Sequence, residues 1–440
     1  MRAVGILIAG LIAMAGLWAG PNTPLPTDTP KTTETLDGAW VPKFKTQEID
    51  TGLSIGYAVL VADINGDKKP DIVVVDQFEV VWYENPTWKK RLILKKGKTK
   101  PDNVCAVAVD IDGDGQIDLV VGAGWKPFDT ANPGTLQWLK RGASLDDEWT
   151  LYPIPCDEPT VHRVRVADID GDGKPEIILA PLMGRDATQK GNWLDGRPVR
   201  ILAYPIPANP EKPESWKPTV LSDELHVVHN IWPYTPLGQT RPMSIMAGAY
   251  EGYTAIMLGA NGQPHQTKVV HAGNQKNPKG NRGASEIKNG YYAKPEPGSR
   301  NRAEGAFVAT IEPWHGNEVV VYTSPPLSRQ PQRMVLDDHL RWGHAVWCAD
   351  LDGDGTDELI IGVRDNPNPK AGDTFTERSG VRIYKNTDGK GTKWERFLLD
   401  EGGVAVEDLV AADLDGDGKI DLIACGRATK NVRIYWNQGR

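Results

Sequence analysis

A nine-residue, aspartate-rich pattern written DxDxDGxxD constrains the fold of this chain more than any other feature. Its most complete copy is Asp413–Asp421, and related stretches occur at Asp63–Asp71, Asp110–Asp118, Asp168–Glu176 and Asp350–Glu358. An apolar run precedes each copy and further short apolar runs follow it. Repeats a few tens of residues long are typical of propellers and solenoids, so we expect one repeated unit to build the whole fold.

Each repeat predicts a four-stranded antiparallel blade. In the first repeat the strands are Tyr57–Ala62, Ile72–Val75, Val80–Tyr83 and Trp88–Leu94, with the aspartate pattern between the first two. Short strands at even spacing, separated by turn residues, indicate an all-β propeller.

The number of blades follows from the gap between the third and fourth copies. The interval from Asp168 to Asp350 is 182 residues, about three repeats, so two blades there have lost the pattern. Their second and third strands remain visible at 244–250 with 253–258 and at 307–312 with 318–322, and 272–302 is predicted to be a long insertion. Five blades plus two predict a seven-bladed β-propeller.

The last repeat lacks its outer strand, because the chain ends soon after a third strand that stops at Asn437. Lys45–Ile49, at the start of the propeller, can supply the missing strand. We therefore expect the N-terminal strand to complete the last blade and close the ring, which removes two exposed sheet edges.

The N-terminal residues predict export to the periplasm or the cell exterior. Residues 1–19 contain an apolar run after Arg2 and an A-x-A cleavage pattern at 13–15, as in a secretory signal peptide. Residues 20–38 are rich in Pro and Thr and predict a linker, and residues 39–440 form the propeller. The apolar run is short for a membrane span, so no stable span is expected after the signal is removed.

Charge and cysteine content exclude some classes of function. The formal net charge of -8, without a basic stripe, argues against a nucleic-acid partner. The four cysteines show neither a disulfide framework nor a CxxC pair, so we expect small buried side chains.

The repeated carboxylates predict structural calcium sites. Acidic side chains at positions 1, 3, 5 and 9, with a glycine turn at position 6, are suited to a hard cation. The predicted ligands are Asp63, Asn65, Asp67, Asp71, Asp110, Asp112, Asp114, Asp118, Asp168, Asp170, Asp172, Glu176, Asp350, Asp352, Asp354, Glu358, Asp413, Asp415, Asp417 and Asp421. In the first copy Lys68 replaces the turn glycine, which makes the site there doubtful. These loops resemble FG-GAP/VCBS repeats, a likeness that implies calcium-stiffened blades and no particular chemistry.

A second ring of residues is found by counting six positions back from the first aspartate of each copy. The count reaches Tyr57, Val104, His162, His344 and Glu407, and the two blades without the pattern offer His229 and Glu286. We call this set the rung. Several histidines on one rung suit a divalent transition metal, with zinc as the first candidate. For each single histidine, a hydrogen-bonded channel residue is the simpler alternative.

Residues at the ends of the second strands add a polar and aromatic mouth. They include Tyr250, Glu312, Arg364 and Arg427, with Trp314, His315 and Arg185 on neighbouring loops. Convergent polar groups and aromatic rings are typical of a sugar site.

The segments that carry these residues resemble the propeller domain of the aldos-2-ulose dehydratases. The similar segments are 161–165, 226–230, 284–286, 311–316, 343–347 and 426–429. That family eliminates water from keto-sugars such as 1,5-anhydrofructose. The resemblance implies dehydration but not the isomerisation associated with cupin domains, which are absent from this sequence.

The chemistry of such an elimination suggests a role for each residue of the mouth. The metal ligands would be His162, His229 and His344, the catalytic groups His315, Glu286, Glu407, Tyr57, Arg364 and Arg427, and the substrate-binding groups Tyr250, Glu312, Trp314 and Arg185. The ligand would then be a carbohydrate or a sugar-derived small molecule. A polysaccharide lyase and a non-catalytic binding propeller remain open, and a transition metal at the axis would favour an enzyme.

Overall fold

The chain folds as a seven-bladed β-propeller, as the repeats predict. The structure is a computed structural model, and it describes residues 41–293, 305–323, 330–364 and 379–440. Seven separate four-stranded antiparallel sheets form the blades. The first strands of neighbouring blades contact one another around the ring. A 3₁₀ turn at Pro213–Ser215 is the one helical element in the described ranges.

Each blade runs from an inner strand near the axis to an outer strand at the rim. The strands are Gly56–Ala62, Asp71–Asp76, Val80–Glu84 and Lys89–Leu94 (β2–β5) in blade 1; Cys105–Val109, Asp118–Ala123, Thr135–Lys140 and Thr150–Ile154 (β6–β9) in blade 2; Val161–Ala167, Glu176–Pro181, Val199–Pro205 and Thr219–Leu225 (β10–β13) in blade 3; Asn230–Tyr234, Ser244–Ala249, Gly252–Leu258 and Pro264–His271 (β14–β17) in blade 4; Ile287–Tyr291, Ala306–Glu312, Glu318–Thr323 and Gln332–Asp337 (β18–β21) in blade 5; Gly343–Ala349, Glu358–Val363, Gly380–Asn386 and Trp394–Glu401 (β22–β25) in blade 6; and Val406–Ala412, Asp421–Gly426, Val432–Asn437 and Phe44–Asp50 (β26, β27, β28 and β1) in blade 7.

The ring closes through the N-terminal strand, which confirms the predicted closure. Strand β1 pairs antiparallel with β28, from Phe44 opposite Asn437 to Asp50 opposite Val432. The Nε1 of Trp436 also donates a hydrogen bond of 2.8 Å to Oε1 of Gln47. The last blade is therefore built from both ends of the propeller, and β1 covers the edge that β28 would otherwise expose.

Apolar packing between neighbouring blades forms the core. In six of the seven blades all six residues of the second strand are buried, and in blade 5 five of the seven residues of β19 are. Between blades 1 and 2, the rings and branched side chains of Val73, Trp82, Leu119 and Trp149 belong to one cluster. Continuous burial of the second strand on both faces explains why its sequence reads as an unbroken apolar run rather than an alternating one.

Two boundaries differ from the sequence expectation. The inner strand of blade 5, Ile287–Tyr291, lies inside the segment that was expected to be an insertion. The outer strand of blade 3 is predicted at 216–221 by analogy with Trp88–Leu94 of the first repeat, but it starts at Thr219, because Trp216 is buried and donates a hydrogen bond of 2.9 Å to the Pro210 carbonyl oxygen. In blade 3 the tertiary contact of Trp216 therefore overrides the local strand pattern.

The aspartate loops are held together by their own backbone. In blade 7, the N–H groups of Gly416 and Gly418 donate to the two carboxylate oxygens of Asp413 at 2.8 and 2.9 Å. The N–H groups of Leu414 and Asn437 donate to those of Asp421 at 3.1 and 2.8 Å. The loop contacts recur in the other four copies. The ninth-position carboxylate therefore joins strands within the blade.

Replacing Asp421 by alanine should lower the free energy of unfolding by about 2 kcal/mol or more, because two buried N–H groups would lose their acceptor. Denaturant unfolding with a calcium chelator present would measure this without any contribution from a bound cation. Asp417→Ala is the matched control, since Asp417 belongs to the same loop but is exposed. Equal losses in the two variants would contradict the role of Asp421.

The remaining expectations concern the N-terminal segment, membrane spans and the cysteines. The predicted signal peptide and linker precede residue 41 and lie outside the described residues. In the part of the chain that is described, none of the helical structure has the length and hydrophobicity needed to cross a membrane. The four cysteines are unpaired, and Cys105 and Cys425 are buried.

Candidate functional site

The rung residues stand on β-bulges at the start of the inner strands. The pairing of inner and second strands skips Tyr57, His162, His344 and Glu407 in their blades. In blade 4, His229 and Asn230 both face Gly248, and the His229 N–H donates to the Gly248 carbonyl oxygen at 2.9 Å. A bulge inserts one residue and re-aims its side chain, so repeated bulges turn these side chains towards one another.

Val104 and Glu286 complete the set of bulged positions. The N–H of Val104 donates to Gly122, the residue that pairs with Cys105. Glu286 lies between Ser285, which donates to the Ile311 carbonyl oxygen, and Ile287, which pairs with Thr310. All seven rung residues therefore occupy equivalent positions, including those of the two blades that lack the aspartate pattern.

Strained backbone precedes each histidine of the rung. Thr160, Val227 and Trp342 have φ angles of 46°, 49° and 57°, and each lies two residues before a rung histidine. His315 itself has a φ of 49°. A non-glycine residue in this region costs on the order of 1–3 kcal/mol, and such residues cluster at functional sites. The positions of the histidines are thus maintained against a local conformational cost.

Three imidazoles converge to form a potential metal site. One ring nitrogen each from His229, His315 and His344 lies within 4.8 Å of the other two. The Nε2 atoms of His229 and His315 are 2.8 Å apart, and the ring of His344 stands at 88° to that of His229 with centroids 4.9 Å apart. We call these three residues the histidine trio.

The outer nitrogens of the trio are supported by acceptors. The Nδ1 of His344 donates to the backbone oxygen of Glu407 at 2.6 Å. The Nδ1 of His229 lies 2.7 Å from Oε1 of Glu286, although the two groups are not aligned as a hydrogen bond. Metal-binding histidines usually present one nitrogen to the ion and the other to a carboxylate or carbonyl oxygen. His344 has this arrangement, and His229 has a carboxylate oxygen within reach of its outer nitrogen.

The electrostatic surroundings keep the trio neutral. Burial lowers the pKa of His229, His315 and His344 well below the ordinary value, and the nearby guanidinium of Arg364 lowers all three further. A neutral imidazole retains the lone pair that binds a cation. The donor set therefore fits a transition metal such as zinc.

His162, predicted as a metal ligand, lies outside the trio. Its Nδ1 donates to the backbone oxygen of His229 at 3.0 Å, and its Nε2 faces Nη1 of Arg163 at 3.4 Å. Its ring also packs on Trp125, with centroids 5.0 Å apart. Both nitrogens are thus occupied, and His162 supports the backbone of His229. His315, predicted as an acid–base group, occupies the place expected for His162.

Glu407 connects the trio to an open cavity. Its Oε1 lies 3.9 Å from Nε2 of His344, 3.3 Å from Nη1 of Arg364 and 3.1 Å from Nη1 of Arg427. The two arginines line a cavity of about 470 Å³ together with Gln77 and Trp342. A small ligand in this cavity would meet the two arginines first, and Glu407 lies buried behind them next to His344.

Tyr57 is buried behind this cavity and contacts Arg427, which lines it. Its hydroxyl donates to Oδ2 of Asp102 at 2.8 Å, and the guanidinium of Arg427 lies over its ring at 5.2 Å. Gln77 donates to the other oxygen of Asp102 at 2.8 Å. Asp102 and Trp342 were not predicted, because both lie on connections outside the repeated strands and carry no recurring pattern.

The four predicted substrate-binding residues separate into two groups. Trp314 stacks on His315, with centroids 4.7 Å apart, and lies 6.0 Å from the ring of Tyr250. The Nε1 of Trp314 and the hydroxyl of Tyr250 are buried and have no hydrogen-bond partner among the described residues. These two unpaired polar atoms belong to side chains that pack next to the trio through His315.

Glu312 and Arg185 are engaged elsewhere. The fully buried carboxylate of Glu312 accepts hydrogen bonds from Arg333 at 2.7 and 3.0 Å and from Thr310 at 2.8 Å. Arg185 donates to the Ala131 carbonyl oxygen at 3.0 Å and pairs with Asp157 at 3.1 Å. Neither residue contacts the trio, so the structure does not support placing them in the mouth.

In three of the aspartate loops, acidic groups also converge. Carboxylate oxygens of positions 1, 3 and 9 lie within 4.8 Å of one another in the groups Asp110, Asp112 and Asp118; Asp168, Asp170 and Glu176; and Asp350, Asp352 and Glu358. Calcium at the loops remains a prediction that this convergence permits.

Two family models match the chain. The aldos-2-ulose dehydratase β-propeller domain matches residues 133–325, which include His162, His229, Glu286 and His315. The FG-GAP-like repeat matches residues 63–121 and 350–424. His344 lies outside both matched regions.

One curated protein and a solved structure extend the comparison. An aldos-2-ulose dehydratase from Phanerodontia chrysosporium is 24% identical over 283 residues, 60% of this chain, and the match covers 29% of that protein's length. The crystal structure of BBS1N in complex with ARL6DN, soaked with lead, superposes with a TM-score of 0.51 at 13% identity, covering 92% of this chain and 98% of that one. That likeness concerns the fold alone. The chain therefore combines FG-GAP-like repeats with a segment that matches the aldos-2-ulose dehydratase β-propeller family, and the resemblance predicted from its motifs is confirmed.

Proposed function

We propose that this protein is an exported, metal-dependent carbohydrate lyase of the dehydratase type. It would eliminate water, or an alkoxide, from a keto-sugar or an oxidised glycoside at the axial mouth of the propeller. The observation that carries the proposal is the histidine trio, which lies beside a polar cavity. The relative that is an aldos-2-ulose dehydratase supports the sugar class at low identity, and the predicted signal peptide supports export.

The residues of the trio fit a divalent transition metal. Three neutral imidazoles, His229, His315 and His344, would hold it and leave a position open for substrate, as in catalytic zinc sites. A metal bound there would supply Lewis acidity to the carbonyl of the sugar.

Glu407 is the candidate general base. Elimination next to a carbonyl requires removal of the proton on the adjacent carbon and departure of the hydroxyl on the carbon beyond it. Glu407 is the carboxylate that lies between His344 and the cavity, at 3.9 Å from the imidazole. It is therefore placed to take that proton from a substrate bound between the cavity and the trio.

Arg364 and Arg427 would orient the sugar and stabilise negative charge on its oxygens. Both guanidiniums reach Glu407 and line the cavity. Fixed donors of this kind act most strongly where water is excluded. Trp314 and Tyr250, with their unpaired polar atoms, would provide a stacking surface and two further hydrogen-bonding groups.

The test is a metal analysis followed by an elimination assay. We expect the purified protein to retain a transition metal distinct from calcium, and to convert 1,5-anhydrofructose or a related keto-sugar to an unsaturated ketone that absorbs in the ultraviolet. Chelation should abolish turnover, and zinc should restore it. A folded protein with neither transition metal nor turnover would instead be a binding propeller.

The cavity arginines favour one alternative, a lyase that acts on acidic glycans. Arg364 and Arg427 could neutralise a uronate carboxylate, a step that such enzymes need. Depolymerisation of a uronate-containing glycan, with no reaction on neutral keto-sugars, would select this alternative over the proposed dehydratase.

A further inference from the structure

The aspartate loops differ in one residue that faces them from the third strand. In blade 3, the ninth-position acid Glu176 pairs with Pro205. In blades 2, 6 and 7 the residue that follows the acid is paired: Leu119 with Leu139, Leu359 with Tyr384, and Leu422 with Tyr435. The next residue of the third strand is therefore the one opposite the ninth-position acid. The equivalent residues are Glu84, Lys140, Pro205, Lys385 and Trp436 in blades 1, 2, 3, 6 and 7.

In blade 6 this residue places an ammonium group among the carboxylates. The Nζ of Lys385 lies 2.6 Å from Asp352, 2.7 Å from Asp354 and 2.8 Å from Glu358. These acids occupy positions 3, 5 and 9 of the loop, which are expected to bind calcium. Arg440 also contacts Asp352. Two cations of the chain itself therefore neutralise part of the charge of the loop's four carboxylates.

The ammonium is buried rather than on the surface. The Lys385 side chain is 10% exposed, and that of Asp352 is 0% exposed. Burial alone would lower the pKa of Lys385, yet the hydrogen bonds to the three carboxylates raise it. Three charge-assisted hydrogen bonds are stronger than neutral ones and hold the lysine in place.

Blade 2 shows a weaker form of the same contact. Lys140 pairs with Asp112 and lies 3.8 Å from Asp114, with 33% of its side chain exposed. In blades 3 and 7, Pro205 and Trp436 carry no charge. Lys419 contacts Asp417 in blade 7, but it belongs to the loop itself and is 41% exposed.

We infer that Lys385 serves as a built-in cation and fills the position that the repeat family assigns to calcium, so that the loop of blade 6 takes no metal. Lys140 has the same role in part in blade 2. A calcium ion entering blade 6 would have to expel a buried ammonium from three carboxylates. The loops without such a lysine are those of blades 1, 3 and 7, and calcium is expected in blades 3 and 7, since Lys68 replaces the turn glycine in blade 1.

The test counts bound calcium ions. After chelator treatment, equilibrium dialysis with radioactive calcium should show that Lys385→Met binds one more ion per chain than the wild-type protein. Lys419→Met removes a lysine contact from the loop of blade 7 without touching the buried position, and it should bind the same number as the wild type.

A second variant tests the inference without removing the lysine. Asp352→Asn in the wild-type background should leave the number of bound calcium ions unchanged, because the loop of blade 6 holds none. Loss of one calcium ion in Asp352→Asn, or an unchanged number in folded Lys385→Met, would overturn the inference.

Discussion

Replacing His344 by alanine should remove the bound transition metal and the elimination activity together. His344 supplies one of three converging imidazoles and has its other nitrogen fixed on the Glu407 backbone. Loss of a group that only supports a ligand weakens metal binding about 10- to 100-fold, so loss of a ligand should exceed about 100-fold. Metal titration and turnover of the same preparation would measure both effects.

Two further histidine variants make this result specific. His265→Ala changes an exposed residue of an outer strand and should alter neither quantity. His162→Asn retains a side-chain donor to the His229 backbone but removes the imidazole, and it should keep most of the metal. If His162→Asn lost the metal as fully as His344→Ala, the trio would be wrong, and the set of ligands predicted from the sequence would be right.

The architecture could be predicted because one local pattern recurs in phase with the strands. The first aspartate of each loop is a fixed reference point, so a count of six residues reaches the bulged position in every blade that has the pattern. Apolar runs revealed the two remaining blades. The N-terminal closure followed from a missing strand, because an unpaired edge has to be completed or protected.

The identity of the ligands could not be predicted in the same way. His315 comes from the loop after β19, where a left-handed backbone at φ 49° turns its ring towards His229. That turn depends on tertiary structure and is not part of the repeated pattern, so aligning the repeats could not predict it. His162 does stand on the rung, but once its Nδ1 donates to the His229 backbone, its remaining nitrogen, Nε2, faces Nη1 of Arg163 at 3.4 Å rather than the trio. The rung predicts the backbone positions of these residues, but it does not predict the direction of their ring nitrogens.

Glu312 shows the same limit for charged residues. Its position at the end of a second strand suggested a place in the mouth. Arg333, on the outer strand of the same blade, instead binds its carboxylate inside the blade. A charged side chain at the end of a strand can face either way, and the partner that decides the matter is distant in sequence.

Glu286 and Glu407 should respond differently to the same substitution. Both are buried carboxylates beside arginines, so Glu286→Gln and Glu407→Gln are matched in size and in the charge removed. Glu286 faces the outer nitrogen of His229 at 2.7 Å, whereas Glu407 faces the cavity arginines. We expect Glu286→Gln to bind the metal about 10- to 100-fold more weakly and to regain most of its turnover at saturating metal.

Glu407→Gln should keep its metal affinity and lose turnover by about 100- to 10,000-fold, the usual contribution of a general base. Metal titration followed by turnover at saturating metal separates the two roles, because a residue that only positions a ligand is rescued by excess metal and a base is not. Thermal unfolding of each variant checks that the arginines left without a partner have not opened the blade. Full turnover by Glu407→Gln at saturating metal, together with a persistent loss in Glu286→Gln, would transfer the role of base to Glu286 and would place the substrate on the opposite side of the trio.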